Sequence, residues 1–496
     1  MNAPLRRVAV AVLVLFGLLL VNVNYIQVVR AGDYRDDPRN QRVLLRQYER
    51  ERGPVLAGDG AQVLAESVEN EGRFRYLRTY PGGTAGPQVY APVTGFFSFV
   101  YGTAQLERTE DAVLSGEDAS LFVRRISDLV TGRDLQGGAV STTLLPAAQE
   151  AAYDGLGSQR GAVVALDPRT GAVLAMVSRP SYDPNPLSSF DGELVRSTYQ
   201  RLVDDPAQPL VNRATSFTYP PGSIFKVVTA AAALESGDFT VDTPVPAPDR
   251  LTLPQTTATI GNSGDSSCGG GTIDLVSAME ISCNTSFAQM GLDLGDDAIR
   301  DTAEAFGFGR TLQVPLTVTE SVFPADANPP QTAQSAIGQF DVRLTPVQAA
   351  MIAAGVANGG SVMEPHLVQQ VLAPDLSVVD EADPEELSQA VSEETAAALT
   401  EAMTAVVQGG SGTGRAARIP GVTVAGKTGT AQRGQGQNPH AWFIGFAPAQ
   451  DPRVAVAVVV EDGGTAGSAG TGGRLAAPIA RDVMEAVLDS TAAASR

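Results

Sequence analysis

Between Val8 and Val29 the chain runs 22 residues without a charge, opening VAVAVLVLFGLLLV and becoming mixed at Asn22, Asn24 and Gln27. A single segment can satisfy all its own backbone groups in lipid only as a helix, and at ~1.5 Å per residue this one reaches roughly 33 Å, enough to cross a hydrocarbon core of about 30 Å. Arg6 and Arg7 precede it while Asp33, Asp36 and Asp37 follow, so the basic bias places the N-terminus in the cytoplasm and the rest of the chain outside. The competing reading is a cleaved signal peptide, because the strongly apolar part is no longer than an h-region. Against it, NVNYIQVVRAGDY is bulky where a signal peptidase needs small residues. The sequence therefore predicts a tail at 1–7 and one uncleaved anchor at 8–29, and no later apolar run is long enough to span.

The composition of what lies outside excludes several chemistries. A formal charge of -20 with no basic block argues against nucleic acid, whose binding rests on clustered Lys and Arg at phosphates. Two His and two Cys cannot make a four-ligand zinc site without carboxylates, and neither H-x-x-x-H nor C-x-x-C occurs, so no metal or cofactor is expected. Of the 35 basic residues only Lys226 and Lys427 are lysines. Lysine is the cation whose pKa a protein can lower into a working range, which arginine does not allow. Both are candidates for chemistry before any motif is considered.

At ~150 residues per domain, the length suggests two or three folded units. Residues 30–145 carry short mixed runs (RNQRVLLRQYERERGPVL, FRYLRTY, GFFSFVYG) and read as a small α+β region with a modest core. From residue 146 to about 490 the pattern changes. LLPAAQEAAYDGL has helical spacing, and GAVVALDPRTGAVLAMVS places turn residues between two β-rich runs, a hairpin. Helices are predicted over Phe225–Leu234 after Pro220-Pro221-Gly222-Ser223, over Pro384–Val407, and over Leu475–Leu488; strands over Val422–Ala425, Ala441–Phe446 and Val454–Val460; a flexible loop over 464–473; and a tail at 491–496. Helices between and after antiparallel strands imply a sheet covered by helices.

Three short patterns carry the chemistry. Ser223 and Lys226 stand three apart at the start of a predicted helix, a spacing that puts both side chains on one face so that the amine can reach the hydroxyl. A serine is a poor nucleophile until a base takes its proton, and a desolvated lysine can be that base. Ser282-Cys283-Asn284 offers a hydroxyl to relay protons and an amide to hold a substrate carbonyl. Lys427-Thr428-Gly429-Thr430 follows GVTVAG and so also satisfies the P-loop pattern. That reading fails on mechanism, because V-T-V-A is a β-branched strand where phosphates need a loop, and no helix opens after Thr428. Trp442 reads as core or groove lining, and His366 as a surface or packing residue.

S-x-x-K, S-x-N and K-T-G in that order form the signature of penicillin-binding proteins and class A β-lactamases. GAVVALDPRTGAVLAMVSRPSYDPN, NRATSFTYPPGSIFK, AIGQFDVRLTPVQAAMIAAGVANGG, VAGKTGTAQ and HAWFIGFAP resemble stretches of the transpeptidase domain of class B penicillin-binding proteins, and ERGPVLAGDGAQVLAES resembles the motif opening that family's N-terminal region. The resemblance implies a penicillin-binding transpeptidase/serine β-lactamase-like α/β (α+β) fold at 146–490, with an antiparallel sheet flanked by helices and a smaller N-terminal pedestal or dimerisation domain. It implies acyl transfer in cell-wall synthesis at the outer face of the cell membrane. Ser223 would attack the penultimate D-Ala carbonyl of a stem peptide, with Lys226 as base and Ser282 passing protons to the leaving amine. Asn284 would position the substrate amide, and Lys427 and Thr428 would hold the terminal carboxylate. The N–H groups of Ser223 and Thr430 would form an oxyanion hole, and β-lactams would trap Ser223.

Cys268 and Cys283 face an oxidising compartment, where a disulfide between them would pin the S-C-N motif to S-S-C-G-G-G; two reduced, buried thiols are the alternative. A serine β-lactamase would be shorter and would carry a deacylating E-x-x-L-N, which is missing between S-x-N and K-T-G. A D,D-carboxypeptidase would differ only in letting water take the acyl group. A scaffold with vestigial acylation is the non-enzymatic alternative, which the intact motifs oppose. No glycan-polymerising domain fits in 30–145, so glycan strands would come from a membrane glycosyltransferase of the RodA/FtsW type.

Overall fold

A computed structural model of the chain describes residues 2–30, 47–121 and 136–494, apart from Asp59, Ala61, Arg73 and Gln435. Residues 39–46 of the RNQRVLLRQYERERGPVL run, and Asp33, Asp36 and Asp37, lie outside the described residues. The N-terminal helix, Asn2–Asn24, continues as a π-helical turn at Tyr25–Val29, and its large apolar side chains are exposed, none of them buried.

Five antiparallel strands form the central sheet of the larger part, in the order Ala425–Ala431, His440–Ala447, Val454–Val460, Gly161–Leu166 and Val173–Arg179. Pleating sends successive side chains to opposite faces, and both faces are buried. Ala455, Ala457 and Val459, with Trp442 and Ile444, pack under helix Pro346–Ala357 and its neighbours. Val456, Val458 and Phe443 pack under helices Pro146–Leu156 and Ala477–Ala494. Double coverage explains the run VAVAVVV, whose every residue is buried and which shows no polar alternation.

Several elements differ from the sequence reading. The strand expected at Val422–Ala425 begins at Ala425 and runs through the whole K-T-G motif to Ala431, because Val422 instead turns back onto Ile419. The helix expected from Pro384 starts at Glu393, where the Ser392 hydroxyl caps it; Glu386–Gln389 before it forms a strand paired with Ser361–Met363. The glycine-rich stretch expected as a flexible loop forms short 3₁₀ turns within Glu461–Ala469, kinked at Asp462, Gly463, Gly464 and Gly467, and a π-helical turn, Gly472–Ala476. The last helix continues to Ala494, through most of the expected tail.

A second sheet of six strands lies toward the N-terminus, and two of its strands, Val368–Leu372 and Val378–Glu381, come from far along the chain. Val368–Leu372 pairs with Ala139–Thr142, which is parallel to Val55–Ala57. Beside this sheet Glu107, fully buried, accepts at 2.6 Å from both Arg52 Nε and Arg78 Nε. The two guanidinium groups hold the Glu107 carboxyl below its usual range despite burial. Removing either partner of such a pair is costly, because the charge left behind stays buried.

Candidate active site

Prolines and a glycine shape the turn that carries Ser223. Gly222 takes φ +54°, a left-handed conformation open to glycine, and a Cβ there would lie 3.0 Å from Ala431 Cα. The turn therefore sits directly against the edge strand Ala425–Ala431. Gly429 on that strand makes the reciprocal concession, since a Cβ would lie 3.0 Å from the Pro221 carbonyl oxygen. Three hydrogen bonds clamp the segment: Tyr219 N–H to the Leu344 carbonyl at 2.9 Å, Gly222 N–H to the Gly338 carbonyl at 2.9 Å, and Trp442 Nε1 to the Pro220 carbonyl at 3.1 Å. Trp442 is thus buried core that also braces the turn.

Ser223 lies in a 3₁₀ turn, Gly222–Phe225, and Lys226 opens the helix Lys226–Glu235. At three residues per turn, positions i and i+3 eclipse, so this local geometry aligns the serine and lysine more directly than an α-helix would. Ser223 is half-buried between buried neighbours, and its Oγ makes no hydrogen bond among the described residues, Lys226 included. Catalytic contacts of this kind commonly tighten only when substrate is bound.

Ser282 has an unusual backbone with a clear cause. Helix Leu275–Glu280 ends with Ser282 N–H donating to the Met279 carbonyl at 3.2 Å and Cys283 N–H to the Ala278 carbonyl at 2.9 Å. This is a Schellman cap, and Ser282 occupies the left-handed position, φ +60°, where glycine is the usual residue. Holding a serine there costs on the order of 1 kcal/mol. Helix Asn284–Leu294 begins immediately afterwards, so the S-C-N motif is the corner between two helices. Cys283, at that corner, forms a disulfide with Cys268 across a sequence separation of 15.

Both lysines converge on this corner. Lys226 Nζ, fully buried, donates to the Ser282 carbonyl at 2.8 Å and to Asn284 Oδ1 at 2.7 Å, with Ser282 Oγ at 3.2 Å. Lys427 Nζ, also fully buried, donates to Ser282 Oγ at 2.7 Å and to the Thr428 carbonyl at 2.9 Å. No carboxylate is bonded to either amine among the described residues. Burial, and secondarily the neighbouring Lys427, push Lys226 well below the ordinary lysine value. Burial brings Lys427 down to about 7. A neutral amine has two N–H donors and one lone pair. The Ser282 carbonyl and Asn284 Oδ1 occupy the two donors of Lys226, which leaves its lone pair for a hydroxyl proton.

The rest of the K-T-G strand follows its pleat. Lys427 shares a face with Ala425 and Ala431, and Thr428 and Thr430 alternate to the other. Thr428 Oγ1 lies 2.7 Å from Thr413 Oγ1. Thr413 stands in the loop Gly409–Gly414, which Glu280 secures by accepting the Ser411 N–H at 2.8 Å. Sequence reasoning missed Thr413, Glu280 and Asn262. Asn262 Oδ1 accepts the N–H groups of Asn284 at 2.9 Å and Thr285 at 3.2 Å. A single polar residue in a loop has no periodicity or spacing to mark it; the suspected Cys268–Cys283 link drew only the neighbouring S-S-C-G-G-G run, residues 266–271, toward the motif. His366 is elsewhere, with its backbone paired to Gly171 and Val173 and its imidazole held below the ordinary value by burial.

Comparison with known proteins places this geometry among relatives. The penicillin binding protein transpeptidase domain matches residues 161–485, and the penicillin binding protein A dimerisation domain matches 52–140. The chain is 50% identical over 498 residues to the peptidoglycan D,D-transpeptidase PbpA of Mycolicibacterium smegmatis, covering 98% of this chain and 99% of that one. It is 49% identical, with the same coverage, to the PbpA of Mycobacterium tuberculosis. Among solved structures, the ceftriaxone acyl-enzyme complex of penicillin-binding protein A from M. tuberculosis superposes with TM-score 0.85 and 47% identity, covering 90% of this chain and 100% of that one.

Proposed function

The chain belongs to the penicillin-binding protein transpeptidases, and from that premise we propose how its residues divide the reaction. The enzyme is a serine-type peptidoglycan D,D-transpeptidase that works through an acyl-enzyme and takes β-lactams at the same serine. Ser223 Oγ attacks the penultimate D-Ala carbonyl and gives its proton to Lys226 Nζ. Ser282, between both amines, carries that proton to the departing D-Ala nitrogen. The amine of a neighbouring stem then attacks the ester, loses a proton to the same relay, and takes the acyl group while Ser223 regains its hydrogen. The N–H groups of Ser223 and Thr430 hold the oxyanion, each worth roughly 3–4 kcal/mol in the transition state. Asn284 orients the donor amide, and Lys427 with Thr428 holds its carboxylate. An incoming carboxylate favours the protonated form of an amine that burial has brought to about 7.

The observation that carries this assignment is the surroundings of Lys226: full burial, two acceptors that can only take its N–H donors, and a second amine reached through one shared hydroxyl. Outside the site, the helix over residues 2–29 anchors the protein in the cell membrane, with the catalytic part on the outer side. A RodA/FtsW-type glycosyltransferase supplies the glycan strands. Supporting these last two readings are the apolar length of the helix and the small size of the region before residue 145.

Incubating the full-length protein with a fluorescent penicillin tests the assignment. Ser223→Ala should abolish the label, and persistence of the label in that variant would remove Ser223 from the mechanism. Feeding stem peptide with and without an acceptor amine then separates cross-linking from trimming.

A further inference from the structure

We infer that Asn262 is a positioning residue for Lys226, acting through Asn284. Asn284 is the first residue of its helix, and the residue at the capping position before it, Cys283, makes no side-chain cap bond. Here Asn262 supplies the cap from outside, with Oδ1 taking the N–H of Asn284 and of Thr285. The adjacent Gly261 carbonyl accepts Asn284 Nδ2 at 3.0 Å. With its helix capped and its NH₂ held, Asn284 presents Oδ1 to Lys226 Nζ at 2.7 Å. The same stretch is tied covalently to the neighbouring residue through Cys268–Cys283. Asn262 is 8% exposed and its Nδ2 has no partner among the described residues. A residue kept for packing alone would not bury an unpaired donor, which marks Oδ1 as the atom that matters.

The inference rests on Lys226 being the base. Lys226 is faced by Lys427 across Ser282 and by the Phe287 ring, 5.5 Å from Nζ, with no carboxylate bonded to it among the described residues. A carboxylate at position 262 would add the missing negative charge one residue away from Asn284 Oδ1 while keeping an acceptor for both N–H groups.

The experiment measures reversible binding (Ks) and acylation (k2) of a fluorescent penicillin by full-length protein across pH, with thermal midpoints for each variant. Asn262→Ala should lower k2 about 10- to 100-fold with Ks within about threefold, since misplacing a catalytic group by up to about 1 Å can cost about 100-fold. Asn262→Asp should keep k2 within about threefold of the parent at alkaline pH and move the acid limb up by about one unit. A folded Asn262→Ala variant with parental k2, or an Asn262→Asp limb that stays in place, would overturn the inference. Should Asn262→Ala not fold, Asn262→Asp decides alone. Full acylation by Lys226→Ala would instead bring down the assignment of the base, whatever the Asn262 variants do.

Discussion

Lys427 Nζ donates to Ser282 Oγ at 2.7 Å, joining two motifs that lie 145 residues apart in the chain. The hydroxyl between the amines makes them one unit, and in the proposed mechanism their tasks differ: Lys226 would be neutral to accept a proton, and Lys427 would be protonated to hold a carboxylate. Lys226→Arg should therefore abolish acylation, because arginine stays protonated. Lys427→Arg should retain acylation but weaken recognition of β-lactam and stem peptide. Saturation kinetics with a fluorescent penicillin separate the two; equal and full activity in both variants would refute the division.

The pH dependence follows from the two lowered values. Acidification protonates Lys226, so k2 should fall as pH drops through a limb well below the ordinary lysine value. Deprotonation of Lys427 works in the opposite direction: above about 7 the free enzyme loses the cation, so Ks should rise toward alkaline pH while k2 holds. A k2 profile that rises only near the ordinary lysine value would contradict a neutral Lys226.

Ser282 should trade stability for activity. Ser282→Gly relieves the left-handed strain and is expected to keep or raise the thermal midpoint, by roughly 1 kcal/mol of stability, while acylation falls about 100-fold or more with the relay hydroxyl gone. Calorimetry and penicillin labelling on the same sample check both halves.

Thr413 should act on recognition. Thr413→Val keeps the shape but removes the hydroxyl that meets Thr428 Oγ1, so Ks should weaken roughly 5- to 20-fold, about 1–2 kcal/mol for one lost hydrogen bond, with k2 little changed. Thr413→Ser should restore binding. A Thr413→Val variant that binds penicillin like the parent would show the contact to be incidental.

The disulfide closes a short loop, and Cys268→Ser with Cys283→Ser should cost roughly 3 kcal/mol by the chain-entropy model. A lowered thermal midpoint in the non-reduced protein, matched by adding reductant to the parent, is the expected result.

Much of the candidate site was legible because it is tied to fixed spacings: Lys226 three positions after Ser223, Asn284 two positions after Ser282, and a lysine followed at once by Thr428 and Gly429. The antiparallel sheet was legible from β-rich runs such as VAVAVVV, although nothing in that run reveals which residues face which helix layer. Boundaries failed where tertiary contacts override local preference. Val422 and Val424 have strand propensity, but the strand that forms is the one that docks against the Gly222 turn, where Gly429 leaves room for the Pro221 carbonyl, while Gly426 leaves room for Phe443 on the neighbouring strand. The glycines of 464–473 suggest flexibility, whereas Gly472 is held where a Cβ would collide with the Trp442 carbonyl oxygen. Asn262, Glu280 and Thr413 were invisible because each acts through a partner distant in sequence.

The strands at 368–381 give the protein a built-in guard against being cut in two. Cleavage near residue 145 followed by loss of the N-terminal piece would remove four of the six strands of that sheet and leave Val368–Leu372 as a bare edge. Such an edge is a template for pairing with other chains, so a severed catalytic half would be prone to aggregate. The link between anchor and catalytic part is therefore more than a tether: a nick there leaves the halves clasped by β-pairing, and releasing the catalytic half requires pulling the sheet apart.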